Sequence, residues 1–155
     1  MTGAYEQERE RGRKVATIAL HRAMEGDIRT AAHYISRLNG SPALQVAIMG
    51  WIDTYIARCI GNEHRGTPLP MAWTPVETGG VRTADEVPPP ARWAGRLISA
   101  RLTDDEDGYN ALLRAPAEGV ELGDGIIALL QMVAIGLKRS EAGMPALIDL
   151  RGGAA

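Results

Sequence analysis

The sequence predicts an all-α protein of six main helices, built as two related three-helix halves around two long apolar helices. Three observations carry that prediction. Residues 44–60, LQVAIMGWIDTYIARCI, set Leu44, Ile48, Trp51, Ile52, Tyr55 and Ile56 at helical spacing, and Val46, Met49 and Ile60 widen the stripe until little polar surface remains. A second long stretch near 124–139 repeats this character. Between them, residues 61–90 hold most of the prolines and several glycines, with no sustained period of 2 or 3.6.

In chain order, residues 5–24 read as the first helix, with Val15, Ile18, Ala19, Arg22 and Ala23 as its inner stripe. Gly12 should weaken it by about 1 kcal/mol relative to alanine. Gly26 suits a helix C′ position and Asp27 the next N-cap. A helix over about 28–38 follows, with Ile28, Ala31, Ala32, Ile35 and Leu38 inward. Asn39-Gly40 is a turn, Ser41 an N-cap and Pro42 an N1 proline, which together launch the 44–60 helix. After the connector come helices at about 91–102, 105–115 and 123–140, the middle one opened by the acidic turn Asp104 to Gly108.

The halves, 5–61 and 90–140, align with each other. Arg13, Val15, Ile18, Ala19, Arg22 and Ala23 fall on Arg92, Ala94, Leu97, Ile98, Arg101 and Leu102, and 46–58 falls on 127–139. Both bundle packing and tetratricopeptide-like packing fit such a duplication, within a single helical domain spanning 1–155.

Composition narrows the function classes. A net charge of −2 gives no global field to attract nucleic acid or an anionic membrane. The lone Cys59 excludes an intramolecular disulfide and a cysteine-based zinc finger, and fits a reducing compartment. The charged N-terminus lacks a signal-peptide core, and the longest apolar run, Ile126–Leu137, falls short of the ~20 residues that span a bilayer. A cytoplasmic location is expected. Basic charge is carried by arginine, with Lys14 and Lys138 the only lysines, a codon-composition trait of high-GC bacteria or their phages.

Asp53 is the most informative single residue, an acid in an apolar segment. Such a carboxylate needs a partner or a raised pKa. It is either a site acid facing a cavity or, as is commoner, a structural pair with Arg22, Arg58, Tyr34 or His33, or simply exposed. Asp53, His33 and Arg22 are therefore the candidate buried polar or ligand-binding residues. In the second half its position is taken by Ala134, so the shared framework does not require the acid. His21 and Glu25 share a helix face, but the three or four converging ligands of a metal site are not evident, and no metal or cofactor is expected. The acidic turn fails the calcium-loop pattern, with Thr103 and Arg114 where Asp and Glu would stand. A helix-turn-helix reading would make the apolar 44–60 helix the recognition helix, which leaves no polar face for base edges. The strip Arg9, Arg11, Arg13 and Lys14 is interleaved by Glu6, Glu8 and Glu10. No nucleophile elbow, P-loop or dinucleotide fingerprint is present.

The order Ala23, Gly26, Asp27, a short helix, then a long helix with Trp51 and Asp53, a Pro-rich connector and a repeat of the helices resembles small uncharacterised duplicated helical proteins of actinobacteria and their phages. That resemblance implies a fold and a genomic neighbourhood, with no activity attached. The expectation is a non-enzymatic helical protein that binds a protein partner or itself as a homodimer, with Trp73, Met71 and Trp93 as interaction residues. A DNA-associated regulator and an enzyme with an unrecognised site near Asp53 are the alternatives.

Overall fold

The computed structural model describes residues 2–67, 87–116 and 120–143, and all regular structure among them is helical. The elements are α1 (Thr2–Met24), α2 (Ile28–Ser36), α3 (Pro42–Tyr55), a π-helical turn (Ile56–Ile60), a 3-10 turn (Asn62–His64), α4 (Pro89–Leu102), α5 (Glu106–Arg114) and α6 (Leu122–Glu141). Helix α1 packs on α2 and α3, and α4 packs on α5 and α6. Helix α6 then meets α1 and α3 across the halves, so the chain itself covers the second apolar helix. Leu129, Leu130 and Val133 of α6 are fully buried and belong to the same hydrophobic cluster as Trp51, Ile52 and Ile56.

The α1–α3 seam differs from the expected stripe. Ile18 is 39% exposed and Arg22 is exposed, while Gly12 and Ala16 join the expected Ala19 among the buried residues. The reason is steric. A Cβ at Gly12 would collide with the Ala43 carbonyl and the Val46 side chain, so the small residues let the two backbones approach. The Trp51 indole N–H donates across this seam to the Ala16 carbonyl at 2.9 Å. Gly12 therefore costs local helix propensity and gains close interhelical packing.

The α1–α2 and α4–α5 corners are built alike. In the first, Gly26 is left-handed (φ 85°) and its N–H donates to the Ala23 carbonyl, while the Asp27 N–H donates to the Arg22 carbonyl. In the second, Asp104 is left-handed (φ 59°), its N–H donates to Arg101, and the Asp105 N–H donates to Ala100. Each corner ends in an aspartate N-cap: Asp27 accepts from the Thr30 N–H at 3.1 Å and Asp105 from the Gly108 N–H at 3.0 Å. The helices they launch, α2 and α5, are both 9 residues long.

Other boundaries move slightly. Helix α2 stops at Ser36 rather than near 38, and Pro42 takes the first turn of α3 as expected. Ser41 makes no side-chain cap; its Oγ donates back to the Leu38 carbonyl at 2.7 Å. The 44–60 helix is α-helical only to Tyr55 and finishes in the π-helical turn, closed by the Gly61 N–H on the Ile56 carbonyl. The connector's first residues are packed down, with the Gly66 N–H donating to the Leu102 carbonyl at 2.7 Å. The rest of it, 68–86, lies outside the described residues.

Candidate functional site

Asp53 faces neither His33 nor Arg22. Its carboxylate takes a two-pronged bond from Arg101 at the end of α4, Nε to Oδ1 and Nη2 to Oδ2, each 3.0 Å. Arg65 adds a third bond, Nη2 to Oδ1 at 3.2 Å, and is itself steadied by Nε on Asn62 Oδ1 at 2.9 Å. Asp53 thus ties α3, α4 and the start of the connector together. Partial burial alone would raise its pKa, but the hydrogen bonds and charges of Arg101 and Arg65 outweigh that and hold it below the ordinary aspartate value. A carboxylate so held is ionised at neutral pH and is a poor proton acceptor.

The expected partners are elsewhere for clear reasons. His33 lies on the exposed face of α2 beside Arg37, 3.3 Å away. Arg22 lies on the exposed face of α1 and meets Glu25 at 3.4 Å. The residue that pairs with Asp53 is Arg101, which the internal alignment sets opposite Arg22. Trp93 is only 1% exposed, packed over Gly125, with its indole N–H on the Leu112 carbonyl at 3.0 Å, so it is a core residue and offers no surface to a partner. Trp73 and Met71 lie outside the described residues. Cys59 is half-buried and burial pushes its thiol up to about 11, in keeping with a small core residue.

Beside the Asp53 cluster is a cleft of about 350 Å³, open on one side, between α3, α4 and α5. Met49, Ala100 and Tyr109 give it an apolar floor; Asp104, Glu106 and Asn110 stand at its rim, and Arg101 forms the wall shared with the ion pair. The Arg101 guanidinium lies 5.8 Å from the Tyr109 ring centre. Tyr109 is 6% exposed, its hydroxyl is buried without a hydrogen-bond partner, and burial pushes its pKa up to about 12. Sequence reasoning placed Tyr109 in the core, as found, and Asp104–Gly108 in a charged turn, of which Glu106–Gly108 are instead the first residues of α5; it gave no sign that Tyr109 and these acids meet at a cavity.

A second cleft of about 390 Å³ lies where the C-terminal parts of α1, α3 with its π-helical turn, and α6 meet. Its floor is Leu20, Met24 and Leu137, and its rim includes His21, Glu25, Arg58 and Lys138. His21 and Glu25 thus share a cleft, yet no three His, Cys, Asp or Glu side chains converge in metal-binding fashion among the described residues. The helix that a helix-turn-helix would need free, α3, buries Ile48, Trp51, Ile52 and Tyr55. No described helix is long and apolar enough to cross a membrane.

Comparison with protein-family models, curated proteins and solved structures finds no match to this chain.

Proposed function

We propose that this chain is a non-catalytic helical protein-binding module of two related three-helix halves, working in a reducing cytoplasm. It engages a protein partner through the cleft at the α4–α5 corner. One observation carries the reading: an open cleft with an apolar floor and a polar rim, beside the Asp53–Arg101–Arg65 cluster that ties two of its three helices, α3 and α4, together. A half-open cavity of this size suits an anchoring side chain of another protein better than an enclosed small ligand. The two matching corners support the duplication, and the contacts of α6 with both halves favour bundle packing over a tetratricopeptide-like stack.

The test is photo-crosslinking of the purified chain in extract of its native host, with mass-spectrometric mapping. The expected result is a partner whose crosslinks fall on residues 104–110 and vanish in an Asp104→Gly/Glu106→Gln variant. Light scattering run alongside separates a foreign partner from a second copy. Crosslinks unaffected by the variant, or none, would sink the reading.

A further inference from the structure

The corners after α1 and α4 each turn on a left-handed residue, Gly26 and Asp104, whose N–H donates to the carbonyl three residues back. At both, the chain then returns against the helix it has just left, α2 on α1 and α5 on α4. Gly143 repeats the device. It is left-handed (φ 73°), and its N–H donates to the Ser140 carbonyl at 3.1 Å just past the end of α6. The sequence that follows, Met144-Pro145-Ala146-Leu147-Ile148-Asp149-Leu150, is strongly apolar and lies outside the described residues. The last turns of α6 also border the second cleft, to which they give Leu137, Lys138 and Glu141. Across from them Leu20 and Met24 are only half-buried, so apolar surface is left open beside the point where the chain turns.

We infer that residues 144–150 of the same chain fold back into this cleft and lay their apolar side chains on Leu20, Met24 and Leu137. The reach is sufficient in any backbone conformation. Leu137 lies about 9 Å along the helix axis from Gly143, while seven residues span about 10 Å as a helix and up to about 23 Å extended. Charge agrees with the occupant. The segment's one charged residue is Asp149, and the rim sets Arg58 and Lys138 against Glu141, its other acid, Glu25, being paired with Arg22 at 3.4 Å. A second copy or a foreign peptide competes poorly, because a segment tethered beside the cleft is present at an effective concentration of order mM. This cleft is separate from the partner-binding one at the α4–α5 corner, so no outcome below bears on that reading.

The test is methyl NMR on the full chain, labelled at Ile, Leu and Met and kept dilute. Nuclear Overhauser contacts from Leu147, Ile148 or Leu150 to Leu20, Met24 or Leu137 are expected. A mixture of differently labelled chains should show none between copies. Leu147→Asp/Ile148→Asp should erase the contacts and lower the melting temperature by about 4–8 °C, as loss of two partly buried apolar side chains would. Ala154→Asp/Ala155→Asp, which adds the same charge beyond the segment, should leave both unchanged. Absent contacts, contacts between copies, an unmoved melting temperature in the first variant, or an equal fall in the second would each overturn the proposal.

Discussion

At the α1–α2 corner the left-handed residue is Gly26, and the chain around it is exposed. At the α4–α5 corner the same hydrogen bonds close around Asp104, and the corner opens onto a cleft. The pair separates two things that one corner alone would confuse. The backbone plan, with its left-handed C′ residue and aspartate cap, is a device for reversing the chain. The acid at the left-handed position is an addition, since reversal needs only glycine there. Asp53 offers a second contrast: aligning the sequence with itself sets Ala134 opposite it, and Ala134 is buried.

The broadest way to break the comparison is to ask whether the halves stand independently. Trp51 and Trp93 belong to one hydrophobic cluster. Trp51→Ala and Trp93→Ala should therefore each cost about 3–5 kcal/mol and lower a single urea transition, followed by circular dichroism. Two separate transitions in either variant would make the halves separate folding units. The seam can be sharpened next. Gly12→Ala should cost about 1–3 kcal/mol because its Cβ meets the Ala43 carbonyl, whereas Gly50→Ala, with open space around it, should gain about 0.5–1 kcal/mol. Equal effects at both positions would remove the close approach of α1 and α3.

The cross-half ion pair is smaller. Its partners are about a third exposed, so solvent screening limits Asp53→Asn to about 1 kcal/mol at pH 7. Because the folded-state pKa of Asp53 is depressed, its contribution is present above the unfolded value of about 3.9 and is lost as pH falls through the folded one. Wild type and variant should converge in urea midpoint below about pH 4; a constant gap would mean that the charge plays no part. Last, Asp104→Gly should stabilise by about 1 kcal/mol and Gly26→Asp should destabilise by a similar amount, read by thermal melts. If Asp104→Gly destabilised instead, its carboxylate would be holding the fold.

What could be read in advance was local. Gly26 and Asp27 signal their corner within four residues, and the apolar periods of α3 and α6 announce buried helices. On α1 the expected stripe was right at Ala19 but missed Gly12 and Ala16, which carry little hydrophobic signal, and included Ile18, which carries much; which of them is buried depends on how near α3 can come. The partner of Asp53 lies 48 residues away, and no local pattern selects Arg101 over Arg22 or Arg58. Nor does sequence show that Tyr109 ends without a partner, since that depends on what three helices bring to one place.

The π-helical turn that ends α3 has a bearing on how this chain tolerates changes in length. A π turn holds one more residue in each hydrogen-bonded ring than an α turn. Loss of one residue around the exposed Ala57 and Arg58 can be taken up by relaxation to ordinary α-helix, with Gly61 still closing the end. The same deletion within α6 has no such slack. It would rotate everything beyond it by roughly 100° about the helix axis and turn Val133 and Leu137 out of the core. Of the two long helices at the centre of the fold, only α3 carries a joint where the chain can shorten.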